Sequence, residues 1–316
     1  MKHSHRLEVT PSDVRNRILS RCSAVVLLFT FVIFVALSTP NDAPAKSPPE
    51  KQKKKLALRW DPPQVDAPVP SLSATPQCSL DAVVKQAAER TEELISHLKD
   101  FDAQEQLRYE QTDELGMPEV SFSARFDYLV DFDHTSGVPM AKEIRKLLAG
   151  AEGIDVNSIL DRGLSTFALI FNPALQSDYD MRCEGFAPWN NQPAWVIYFH
   201  QNKAKRPRTL SIRTTMQTFP LSLKGRAWIA ADSGQVMHLE TNLVEGVPAI
   251  GLQGNAVSVD YAPVRFHSQD VEMWLPQSAT AYLDYGKRRS IIWHRLSDFQ
   301  LFSVQTQQVI EKPKNP

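Results

Sequence analysis

The chain has 316 residues, 42% hydrophobic and 22% charged, which is enough apolar side chain for a packed core. Its formal net charge of −1 supplies no field that would draw it to nucleic acid, and no nucleic-acid partner is expected. Prolines outnumber glycines, 22 to 12, and crowd one N-terminal stretch, which leaves about 240 residues for a folded domain.

Residues 1–21 are a basic n-region, with Arg15, Arg17 and Arg21 standing directly before the uncharged stretch 22–41. The centre of that stretch, Ser23 to Leu37, is almost continuously apolar. About 15 apolar residues suit a secretory signal, whereas a stable membrane span usually needs about 20. Ala36-Leu37-Ser38 and Ala43-Pro44-Ala45 offer two small-residue cleavage sites, while the long n-region favours an uncleaved anchor, so both readings stand. Cys22 precedes the apolar run and therefore cannot be the acylated cysteine of a lipoprotein signal. Lys46, Lys51, Lys53, Lys54, Lys55 and Arg59 follow the run and offset the basic residues before it, so charge counting leaves the topology undecided. Cys78 and Cys183 decide it. Two lone cysteines in an exported domain are expected to pair, closing a loop of about 105 residues, against the alternative of two unrelated buried thiols. The expected location is the periplasm or the periplasmic face of the inner membrane.

Residues 42–77 read as a disordered Pro/Lys-rich linker, extended by its prolines, with a lysine run able to touch anionic headgroups or simply to be solvated. A single domain is expected over 78–310, followed by a tail, 311–316. Ser79 is a good N-cap and Asp81 opposes the helix dipole. Leu80, Val83, Val84, Ala87, Thr91, Leu94, Ile95, Leu98 and Phe101 then recur at helical spacing, which predicts an amphipathic helix of some six turns. The period changes to two at Val120, Phe122, Ala124, Phe126, Tyr128, Val130 and Phe132, a strand with one apolar face, and 103–112 reads as its neighbour.

Residues 140–149 (MAKEIRKLLA) suit a short helix, and the rest of 137–192 reads as a loop or cover. Trp195 to Phe199 is an apolar strand. Leu221, Leu223, Ala227 and Ile229 lead into the turn Ala231-Asp232-Ser233-Gly234, and Met237, Leu239, Thr241 and Leu243 lead out of it, a hairpin whose turn residues supply the reversal. Further strands are expected at 253–266, 271–275, 277–285 and 290–304, with Gly286-Lys287-Arg288 as a tight turn. The fold class is α+β: one large twisted antiparallel sheet with helices packed on its apolar face.

The hairpin GRAWIAADSGQVMHLE (225–240) resembles the superfamily that includes the LolA carrier, the LppX lipoproteins and the RseB sensor, with Asp232, Gly234, Leu239 and Glu240 matching its turn and its Leu-Glu strand end. WLPQSATAYL (274–283) and HRLSDFQLF (294–302) are similar to its strand entry and closing strand. The long linker and the insert at 137–192 depart from the carriers. The resemblance implies an open half-barrel whose concave apolar face, covered by helices, holds acyl chains or a lipidated peptide.

Candidate chemistry is sparse. His97, His134, His200, His238, His267 and His294 lack metal-ligand spacing, and Asp131 with Asp133 share a solvent face, so no metal and no cofactor is expected. No nucleophile elbow, phosphate-cradling loop or dinucleotide glycine pattern occurs, and Cys183 is better explained by a disulfide than as a nucleophile. Lys203, Lys205, Arg206, Arg208 and Arg213 read as an exposed basic stretch. Phe122, Phe126, Tyr128, Trp195, Tyr198 and Trp228 are the candidate cavity lining, each with ordinary core as the competing explanation. The expected function is a non-enzymatic envelope protein holding a lipid or lipoprotein acyl group between sheet and helices. The alternative is a membrane-tethered interaction or sensor module with a filled core and an envelope protein as partner.

Overall fold

A long two-residue period dictates the architecture. The computed structural model describes residues 60–69, 77–97, 100–133, 137–151, 163–214, 216–266 and 270–301. The apolar run of 22–41, His134, His267 and the tail lie outside the described residues. Among the described residues no helix is long and apolar enough to cross a membrane.

Helix α1 (Leu80–His97) is followed by β1 (Asp100–Asp113), β2 (Pro118–Asp133) and β3 (Met140–Ala149). A 3-10 turn (Phe167–Phe171) and the short α2 (Pro173–Gln176) precede β4 (Tyr179–Phe186) and β5 (Ala194–Gln201). Then come β6 (Ser211–Arg213), β7 (Thr218–Pro220), β8 (Leu223–Ala230), β9 (Val236–Leu243), β10 (Gly254–Phe266), β11 (Val271–Asp284) and β12 (Arg288–Leu301). Ten strands form one open antiparallel sheet in the order β3-β2-β1-β12-β11-β10-β9-β8-β5-β4, and β6 and β7 pair separately.

Alternation gives this sheet two faces of different character. Phe101, Ala103, Leu107 and Tyr109 of β1, Phe126, Tyr128 and Val130 of β2, Leu239 of β9 and Ile197 and Phe199 of β5 belong to one continuous core. Val83 and Ala87 of α1 pack into that core, and the disulfide Cys78–Cys183 ties the start of the helix to β4 with the two Cα atoms 6.4 Å apart. The helix stops at His97 rather than continuing to Phe101, because Phe101 is fully buried as the opening residue of the core face of β1.

Residues 140–149 form a strand, not the expected helix. Glu143 and Arg145 sit on the core face of β3 opposite Val130 and Tyr128 and are buried there in an ion network. Tertiary pairing outweighs the helix propensity of this segment. Similarly, 271–275 and 277–285 are one strand: Tyr261 faces Pro276 and Asp260 faces Ser278, so Gln277 is taken up as a bulge next to the proline, which has no N–H to donate.

The insert is partly a cover of an unexpected kind. Leu164, Phe167, Leu169, Ile170, Phe171 and Leu175 are all essentially inaccessible to solvent and fill the space over the core face of the sheet. The described part of the proline-rich stretch, residues 60–69, is also ordered. It lies on the opposite face as a strap, with Val65 fully buried, Asp66 accepting from Tyr198 Oη at 3.0 Å and paired with Lys224, and the carbonyl of Ala67 accepting from Arg226.

Candidate functional site: a cavity between helix, cover and sheet

Two features of the core face bear on function, a buried polar network and a cavity beside it. Glu105 of β1, Arg145 of β3 and His294 of β12 meet where the cover crosses the sheet. Arg145 Nε donates to Glu105 Oε2 at 2.6 Å, and His294 Nδ1 lies 2.7 Å from Glu105 Oε1, with these side chains almost wholly buried. Burial alone would raise the Glu105 carboxyl, but Arg145 and His294 outweigh it and hold the pKa down at about 2. Glu143, 3.5 Å from Arg145, accepts from the backbone N–H groups of Gly163 (3.0 Å) and Ser165 (2.8 Å). Tyr128 Oη lies 3.1 Å from Ser165 Oγ and Tyr261 Oη donates to the carbonyl of Leu164 at 3.1 Å. The network therefore pins the start of the cover to three strands. Gly163 permits this entry: it holds φ +108, and a Cβ there would come within 2.9 Å of Leu210 Cδ1.

The cavity lies between the C-terminal half of α1, the cover and β9–β11. Thr91, Leu94, Ala168, Val236, Tyr261 and Met273 contribute its interior, and Arg90, Glu93, His97 and Glu272 add charge and hydrogen-bonding capacity at its margin. Its volume is about 90 Å³. Its walls are therefore mixed, apolar side chains inside and ionisable ones at the margin.

None of the six aromatic residues singled out from the sequence lines this cavity. Phe126 and Tyr128 are fully buried in the core, and Phe122 stacks on Tyr109 with centroids 5.0 Å apart. Trp195 packs edge-on against Phe186. Tyr198 and Trp228 face the other way, Tyr198 toward the strap and Trp228 into a second small core with Ala187, Ala194, Val196, Ala230 and Met237. The structure thus divides the six between two faces. The cavity residues were hidden because Leu94 and Val236 look like any other core position of a helix or strand.

On the outer face, His238 Nδ1 lies 2.8 Å from Asp260 Oδ1 and its Nε2 lies 3.5 Å from Ser258 Oγ, an order of atoms used by hydrolases. The ring of Trp189 stacks on the imidazole at 3.7 Å and leaves His238 only 2% exposed. Asp260 also accepts from Ser278. Burial disfavours the His238 cation, but hydrogen bonds to Asp260 and Glu240 prevail and its pKa is raised. The group is a covered clamp between β9 and β10. Among the described residues no cluster of three or more His, Cys, Asp or Glu side chains is placed to hold a metal.

No family model and no curated protein matches the chain. Solved structures do. A DUF1329 family protein from Desulfovibrio piger is 9% identical over 70% of this chain and 92% of its own, with a TM-score of 0.38. A putative outer membrane lipoprotein-sorting protein domain from Vibrio parahaemolyticus is 10% identical over 72% and 95%, with a TM-score of 0.33. The Mycobacterium tuberculosis lipoprotein LppX is 12% identical over 70% and 96%, with a TM-score of 0.24.

Proposed function

We propose that this chain is a non-enzymatic binding protein of the cell envelope, and that it holds the end of an apolar chain, from a lipid or a lipoprotein acyl group, in the cavity between α1 and β9–β11. The cavity carries this reading: α1, the cover and β9–β11 leave space there beside Leu94, Ala168, Val236 and Met273. At about 90 Å³ it is smaller than the roughly 150 Å³ apolar cavity that takes up a benzene ring. A longer chain enters only as the cover 163–176 moves aside. Each methylene buried there contributes about 0.8 kcal/mol. A diazirine-bearing fatty acid, photolysed with the full chain in lipid nanodiscs, should label peptides containing Leu94 and Met273. Labelling confined to the segment 22–41 would contradict the assignment.

A second reading draws on the edge position of β3 among the described strands. Met140, Ile144 and Leu148 recur on one face of this edge strand and are all more than 40% exposed. An extended segment of an envelope protein would add to such an edge by main-chain pairing. A partner captured by the full chain, and lost on Ile144→Pro while fatty-acid labelling persists, would favour it.

A further inference from the structure

The β1–β2 turn is rigidly built yet presents apolar side chains to solvent. Asp113 Oδ1 accepts from the backbone N–H groups of Leu115 (2.9 Å) and Met117 (2.8 Å), and Gly116 takes φ +78. This fixes Leu115 at 81% and Met117 at 62% exposure. Asp113 pairs with Arg288, so the β11–β12 turn stands directly alongside, with Tyr285 at 40% exposure. Two adjacent hairpin tips thus display leucine, methionine and tyrosine beside Lys287, the exposed Glu114 and Arg288, whose Nε lies 3.7 Å from Glu119.

The same end of the sheet receives the N-terminal chain. Trp60 packs edge-on against Tyr282 with centroids 5.5 Å apart, and the guanidinium of Arg289 lies 5.4 Å from its ring centre. Arg289 is opposite Thr112 and Asp284, next to both turns. Upstream of Trp60 the sequence carries Lys51, Lys53, Lys54 and Lys55 and, before them, the apolar run Ser23 to Leu37. Lys55 lies five positions before Trp60, at most about 18 Å of extended chain. Contact of that lysine run with anionic headgroups, one of its two readings, would bring this end of the sheet to the bilayer.

We infer that the β1–β2 and β11–β12 turns form a membrane-docking tip, with Leu115 and Met117 entering the interface of a phospholipid bilayer, Tyr285 at the level where tyrosines concentrate, and Lys287 and Arg288 among the headgroups. The inference rests on residues 22–41 being a membrane segment, and does not depend on what the cavity holds.

The test uses the full chain carrying Cys22→Ser, with Leu115→Cys, Met117→Cys, Tyr285→Cys or Met216→Cys introduced singly and labelled with an environment-sensitive fluorophore. Met216, 93% exposed on the β6–β7 hairpin, is the solvent reference. In vesicles of phosphatidylethanolamine and phosphatidylglycerol carrying a lipid-borne quencher, labels at 115, 117 and 285 should be blue-shifted and more strongly quenched than the label at 216. Leu115→Asp with Met117→Asp, both at exposed sites, should return the label at 285 toward the reference. Co-flotation with label 115 as water-exposed as label 216 would overturn the docking tip while leaving the membrane segment intact. Failure to co-float would overturn both. A label at 115 shielded only as protein concentration rises, without lipid quenching, would assign the tip to a second copy and overturn the inference too.

Discussion

Arg145 on β3 reaches Glu105 on β1 across the intervening strand β2, at 2.6 Å, with its guanidinium 4.7 Å from the centre of the Tyr128 ring. A salt bridge this deep is held by geometry, since two charges taken out of water are tolerated only when both are paired and hydrogen-bonded. It also anchors the cover through Glu143, which binds the backbone of Gly163 and Ser165.

Glu105→Gln should therefore be costly, about 3 kcal/mol or more, because Arg145 stays buried with half its compensation gone. The lowered carboxyl gives the pH course. The stability that Glu105 contributes is complete above its unfolded value near 4.5 and is lost as pH falls through about 2. Urea midpoints between pH 7 and pH 2 should fall steeply at the acid end for the natural chain, and Glu105→Gln should flatten that limb.

His238 acts in the opposite direction. Its pKa is raised by Asp260 and Glu240 despite its burial, so its contribution is fully present below the ordinary histidine value of 6.5 and disappears as pH rises through the higher folded value. Asp260, lowered by the same contact against its own burial, loses its share only in acid. Thermal midpoints of the natural chain should decline above neutral pH, and His238→Gln should remove most of that decline while lowering stability below pH 6.5.

Reducing Cys78–Cys183 should destabilise the domain by up to about 4.8 kcal/mol, the chain-entropy value for a loop of 105 residues. Cys78→Ala with Cys183→Ala should show the same loss without reductant, measured by urea unfolding. An equal stability in both states would mean that the fastening adds nothing to what α1 packing already supplies.

The sequence resolved most of the sheet and little of the site, for physical reasons that differ by segment. Strands such as 120–132 alternate strictly because one face is buried and the other wet, and the hairpin at Asp232-Ser233-Gly234 announces itself through Gly234, which takes φ +71. The pairing of Cys78 with Cys183 followed from their isolation in the chain. Strand β3 was illegible because its buried positions are Glu143 and Arg145, charged residues that mimic the polar face of a helix. The cover 163–176 lies within 137–192, where the sequence shows only a loop or cover, since burial by other elements, not its own periodicity, makes Phe167 to Phe171 core. For the aromatic residues, size marks a buried side chain but does not say which face it occupies: Tyr198 and Trp228 face the strap side.

Leu94 is the residue through which the cavity can be closed without touching the polar network. Leu94→Trp should fill the space below α1 and abolish labelling by a diazirine fatty acid at the Met273 peptide, at a cost in stability of about 1–3 kcal/mol. Labelling that persists in a folded Leu94→Trp variant would move the ligand elsewhere.

The most direct measurement is native mass spectrometry of the full chain released gently from its own membranes. An apolar ligand held between α1, the cover and β9–β11 predicts a stoichiometric lipid-sized adduct that survives detergent exchange and is absent from Leu94→Trp. A bare mass, under conditions where a known lipid complex keeps its ligand, would contradict the cavity as a binding site and leave the edge of β3 as the functional surface.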